Sequence, residues 1–106
     1  MIIALPTLHY LNVMQVVGGD YRAHGNVDFN TFINSIQFAG FKPVPYTGTA
    51  LHLKHGAAGS LHIDVPDDVG HWYPYQYLHV VDQFERLGVS FMEGDADGEA
   101  ILYPTS

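Results

Sequence analysis

Cysteine is absent from the 106 residues, and basic residues are scarce, with four Lys and Arg against eleven Asp and Glu. Without cysteine there is no disulfide framework, no thiolate nucleophile and no thiolate zinc site. The cations Arg22, Lys42, Lys54 and Arg86 are scattered along the chain, so no basic stripe is visible that would neutralise a run of phosphates. RNA is therefore disfavoured as a partner by charge. A formal net charge of −7 fits solubility, or docking onto a protein partner with a basic surface. Long apolar runs are missing too. The first stretch is apolar but carries no basic leader, and Pro6, His9 and Asn12 interrupt it too early for a membrane span. The expectation is a cytoplasmic chain with no membrane partner.

What remains is a composition that can fold: 47% hydrophobic and 13% aromatic residues, in a length that corresponds to a single domain, residues 1–106. A domain of this size buries roughly 65% of its unfolded surface.

Two helices stand out. In "DFNTFINSIQFAGF" the residues Phe29, Phe32, Ile33 and Ile36 recur at helical spacing, Asp28 is placed as an N-cap and Gly40 as a stop, which predicts a helix over 28–39. In "PYQYLHVVDQFERLGV" Pro74 suits the first turn, Tyr77, Val80, Val81, Phe84 and Leu87 form one stripe, and Gly88 ends it. Each is followed by strand, turn and strand: "FKPVPY" and "ALHLKH" after the first, "VSFME" and "EAILY" after the second. The echo is either a duplication or the shared grammar of helix, glycine, strand and hairpin. "SLHIDVP" adds a strand and "IIALPTL" another, while "HYLNVMQVVGGDYRAHGN" is ambiguous. The expected class is α+β: an antiparallel sheet with two helices on one face, an α-β-β-β-α core with an N-terminal strand and a C-terminal hairpin.

The stretch "TGTALHLKHGAAGSLHIDVPDD" alternates like a hairpin. With Gly59 in the left-handed position, Lys54 faces His62 and His52 faces Asp64, and Leu51, Leu53, Ile63 and Val65 share the buried side. The apolar pattern selects this register or the one two residues away. In both, His52, His62 and Asp64 are neighbours. An Asp beside an imidazole can fix its tautomer, and a second His can serve as the paired acid or base, making all three candidate catalytic residues. The same three could hold Zn or Fe with positions open to water. The bland alternative is a wetted sheet face with an ordinary cross-strand pair, and no cofactor at all.

From Phe32 to Leu87 the chain resembles the HicA family of small toxins. The likeness lies in "FINSIQFAGFKPV", a helix closed by alanine, glycine and an aromatic; in "GTALHLKH", similar to that family's glycine-serine-histidine-histidine strand; in "IDVP", like its valine-proline strand end; and in the closing "RLG". The resemblance implies an α-β-β-β-α domain of the double-stranded-RNA-binding type and metal-independent cleavage of mRNA. It also implies a catalytic histidine after the glycine-serine pair, and after the matching Gly48 and Thr49 this chain has Ala50. Alanine cannot exchange a proton, so only His52 or His62 could take that role.

"GHWYPYQY" concentrates aromatics, of which Trp72 and Tyr77 suit the core, and Tyr73 and Tyr75 a binding surface. Asp67 and Asp68 extend an acidic surface beside it. "EGDADGE" offers Asp95, Asp97 and Glu99 to a cation but lacks the spacing of a calcium loop, and Asp97-Gly98 reads as a turn. No phosphate-gripping glycine loop or consensus metal motif is present. Three functional expectations follow: a small acidic non-catalytic interaction module, such as a phage or mobile-element inhibitor or accessory protein, able to form a homodimer; a diverged HicA-like ribonuclease; or a His/Asp metal-binding protein or metalloenzyme.

Overall fold

A computed structural model describes residues 1–18, 28–45, 50–65 and 74–104, without the side chains of Pro74, Tyr75 and Tyr77. In chain order these form β1 (Ile2–Leu5), α1 (Thr7–Val17), α2 (Phe29–Phe38), β2 (Lys42–Pro43), β3 (Ala50–His55), β4 (Gly59–Asp64), α3 (Pro74–Leu87), β5 (Ser90–Glu93) and β6 (Ile101–Tyr103). The class is α+β. None of the described helices is long and apolar enough to cross a membrane.

Asp28 caps α2 by accepting hydrogen bonds from the backbone N–H groups of Asn30 and Thr31. Both α2 and α3 end in the same way. Gly40 and Gly88 have positive φ, of 109° and 70°. The amides of Phe41 and Val89 then reach back to the carbonyls of Ile36 and Phe84, closing each helix with a Schellman turn. The stripe of α2 is buried as the spacing requires, and Val80 and Phe84 of α3 are too.

The described part of the ambiguous segment, through Gly18, belongs to helix α1 and its end, and the rest lies outside the described residues. The signal of α1 was blurred because Val13 and Val16 are buried while Leu8 and Leu11 are exposed, so apolar residues occupy both sides. Pro6 precedes it without a side-chain cap. A polar contact ties α1 to α2. The buried Ser35 hydroxyl accepts from Asn12 Nδ2 at 3.1 Å and pairs with His9 Nδ1 at 2.9 Å. The His9 ring stacks on Phe38 at 4.1 Å.

The strands form two sheets rather than one. The first has the order β5-β1-β6, the second β2-β3-β4. The expected C-terminal hairpin does not form: β1 lies between β5 and β6, parallel to the former and antiparallel to the latter. Burial explains it, since Ile3 and Leu5 are fully enclosed, which a central strand provides and an edge does not. The connection still turns where expected, with Gly98 N–H donating to Asp95 O.

One buried cluster draws on both sheets and all three helices. Within it the Phe84 ring meets Phe41 at 5.8 Å and Phe91 at 5.2 Å, both edge to face, a geometry that adds about 0.5–1.5 kcal/mol per pair to the area buried. His55, on the same side of β3 as Leu51 and Leu53, is 5% exposed. Its Nδ1 accepts from the amides of Ala57 and Ala58, which satisfies the hairpin turn from inside and places the ring proton on Nε2. The ring packs against Gly40, where an added Cβ would lie 2.8 Å from it.

Gly40→Ala therefore meets both an unfavourable φ and an occupied space. It should lower stability by about 2–4 kcal/mol, read as a drop in the urea midpoint. Gly56→Ala, with nothing within 4 Å of the new methyl, should stay within about 0.5 kcal/mol of the parent. Equal midpoints for the two variants would refute this account of Gly40.

Candidate functional site

The β3–β4 ladder pairs Ala50 with Asp64, His52 with His62 and Lys54 with Ser60. This is the register two residues from the first choice. The loop is Gly56-Ala57-Ala58, with Gly59 at φ 122° as the first residue of β4. Leu53, Leu61 and Ile63 are buried on the inner side, Leu51 is half-buried, and Val65, beyond the strand end, is exposed.

His52 and His62 face each other directly, with ring centroids 3.9 Å apart and planes inclined by 32°. The ladder register makes this a pair without mutual backbone hydrogen bonds, and Gln83 of α3 takes up the groups so left facing outward. The Gln83 Oε1 accepts from His62 N–H at 2.8 Å and its Nε2 donates to His62 O at 2.7 Å. Both backbone groups of His62 thus point away from β3, as they do in a non-hydrogen-bonded pair, the kind whose side chains approach most closely. The amide also fills an edge position that another strand could otherwise claim. On the opposite edge, Pro43 in β2 has no N–H to offer.

Asp64 stands across from Ala50, so the expected His52–Asp64 pair is replaced by a carboxylate two residues along the same face. Lys42 lies opposite Lys54. Like charges in register repel, and Lys42 is drawn aside, its Nζ donating to Gln37 O at the end of α2 at 2.8 Å. The outer face therefore carries the rows Lys42, Lys54 and Ser60; then His52 and His62; then Ala50 and Asp64. Two of the four Lys and Arg residues come together beside the imidazoles, which the scattered sequence positions concealed.

The His52 pKa is lowered from the ordinary 6.5, first by desolvation and then by the neighbouring charge of His62. Among the described residues no three His, Cys, Asp or Glu side chains converge to hold an ion. The expected binding residues Asp67, Asp68 and Tyr73 lie outside the described residues, as does the side chain of Tyr75. Gln83, which holds the backbone of His62, carried no signal in the sequence; its role is created by the docking of α3 on β4.

The first sheet is different in character. Its register places Ile3, Leu5, Phe91, Glu93 and Leu102 on one side, with Ile3 and Leu5 fully buried, and Ile2, Ala4, Ser90, Met92, Ile101 and Tyr103 on the other. Met92, Ile101 and Tyr103 are 44–47% exposed. Exposed carboxylates of Glu93, Asp95, Asp97 and Glu99 follow along the β5–β6 connection. One sheet thus has a polar outer face and the other an apolar one edged with acid. Comparison with known protein families, with curated proteins and with solved structures finds no match.

Because the folded-state pKa of His52 lies below that of the unfolded chain, its contribution to stability is complete above 6.5 and is lost as pH falls through the folded value. NMR titration should find the His52 imidazole titrating below 6.5, and His62→Gln should raise it only part of the way, because desolvation is the larger cause. A wild-type His52 titrating above 6.5 would contradict this.

Proposed function

We propose that this chain is a small acidic interaction domain that docks on a protein partner with a basic surface. The observation that carries the reading is the outer face of β5-β1-β6, where Met92, Ile101 and Tyr103 are exposed together beside an acidic connection. Grouped apolar side chains cost solvation and mark docking surfaces when they are contiguous and rimmed by polar residues. Acidic residues at the rim steer a basic partner and disfavour other acidic ones. Two copies meeting through this face would bring their carboxylates together, so a second copy is a poorer occupant than a basic protein. Tyr73, Tyr75, Asp67 and Asp68 are proposed as further contacts.

The partner retained from the native host on immobilised protein should be basic and should be lost at high salt. It should bind Ile101→Lys or Tyr103→Lys about tenfold or more weakly, whereas Lys54→Ala should bind as the parent does. A partner indifferent to the lysine substitutions, or a homodimer abolished by them in sedimentation, would overturn the reading.

A second reading has its own support. Lys42 and Lys54 share a face with His52 and His62, which suits a phosphate backbone held by the Lys54 ammonium beside a pair of imidazoles able to serve as base and acid. That arrangement fits a diverged HicA-like ribonuclease acting without metal. Cleavage of single- or double-stranded RNA in the presence of a chelator, reduced by about 100-fold or more in His52→Ala and His62→Ala, is the expected result. A wild type as inert as both variants removes this reading.

A further inference from the structure

The His52–His62 pair has a chemistry that neither reading uses. We propose that these two imidazoles chelate a single divalent transition ion of the nitrogen-preferring class, binding Cu²⁺ most tightly and Ni²⁺ and Zn²⁺ less so.

Cross-strand position comes first. The two residues are in direct register on adjacent antiparallel strands, at the pair type in which side chains leave the sheet closest together. An ion held tetrahedrally by two nitrogens at about 2.0–2.1 Å sets those nitrogens about 3.4 Å apart. The ring centroids are already 3.9 Å apart, and the planes are inclined by 32°, so one pair of edges lies closer than the centroids. Rotation about the Cβ–Cγ bonds turns the rings from face-to-face toward a shared ion without moving the backbone.

The backbone beneath both rings is held. The His52 carbonyl accepts from Val44 N–H at 3.0 Å, and both polar groups of His62 are taken by Gln83. Little ordering is left to oppose binding, which is the condition under which a two-ligand chelate gains over one histidine. His62 is exposed and His52 half-buried, so an ion can arrive from solvent.

The surroundings select the ion. Imidazole nitrogen favours Cu²⁺, Ni²⁺ and Zn²⁺ over the oxygen-seeking Mg²⁺ and Ca²⁺, and the general order of divalent affinity places Cu²⁺ highest. Asp64, two residues from His62 on the same face, attracts a cation, and Lys54 on the other side repels one. With two protein nitrogens, the remaining coordination positions belong to water or to a small ligand, as in open rather than structural sites. Of the other described histidines, His55 turns its Nδ1 to the hairpin amides, His9 turns its own to Ser35, and His79 lies exposed on α3.

The test is calorimetric titration of untagged protein at pH 7.5 with CuCl₂, NiCl₂ and ZnCl₂, with MgCl₂ as the control. The expected result is saturable one-to-one binding in the order Cu²⁺ above Ni²⁺ and Zn²⁺, none with Mg²⁺, and melting temperatures that rise with metal concentration and return on chelation. Protons compete for imidazole, so binding should fade at pH 5. His52→Ala and His62→Ala should each weaken Cu²⁺ by about 100-fold, the loss of an effective local concentration, while His79→Ala should not. The Cu²⁺ electron paramagnetic resonance spectrum of the unaltered protein should show two coordinated nitrogens, a readout that needs no variant to fold. Absence of saturable binding, a single nitrogen, or affinity unchanged in both alanine variants would overturn the proposal.

Discussion

The two sheets form separate hydrogen-bonded ladders joined through one shared core, in which Phe84 contacts rings beside both. Phe84 of α3 lies edge to face against Phe41, at the entrance to the second sheet, and against Phe91 of the first. Three rings in series span the core, and each fully buried Phe is worth about 1.5–3 kcal/mol of transfer free energy. The next residue toward the N-terminus, Gln83, leaves the same helix on another side and binds the backbone of His62. Adjacent positions of α3 thus pack into the core and hold the backbone of His62.

This arrangement gives the molecule two outer faces of opposite character. The second sheet alternates in the ordinary way, apolar inward and polar outward, and its polar side gathers lysine, histidine and aspartate into rows. In the first sheet the central strand β1 is apolar on both sides, Ile2 and Ala4 against Ile3 and Leu5, and apolar residues outnumber Ser90 on the outer face. Short flanking strands leave Met92, Ile101 and Tyr103 at the surface. A sheet with an apolar outer side behaves as an unfinished layer, whereas the other behaves as a finished one that presents chemistry. That physical difference is the basis on which docking is proposed for the first face and ion or phosphate chemistry for the second.

Much of the architecture was legible locally. Asp28, the 3- and 4-residue spacing of Phe29, Phe32, Ile33 and Ile36, and Gly40 defined α2 before any coordinates, because caps, stripes and left-handed stops act within a few residues. The hairpin was legible too, and the apolar pattern narrowed its register to two choices, of which the structure adopts the second, with Gly59 already in β4. α1 was not legible, since apolar residues on both sides erase the periodicity that reveals a helix. The apparent repeat around Gly40 and Gly88 is real as local structure, with the same closing turn at both. It ends there, because the strands that follow enter different sheets.

The sequence by itself determined the class, the positions of α2 and α3, the hairpin and the presence of His52 and His62 on one of its faces, for all of these depend on short-range periodicity and turn chemistry. Only the tertiary structure decided that β1 would part β5 from β6, that Lys42 and Lys54 would meet beside the imidazoles, that His55 would turn inward over Gly40, and that Gln83 would clamp His62. Those outcomes arise from contacts between residues far apart in the chain, whose formation depends on the burial they share and leaves no local pattern to read.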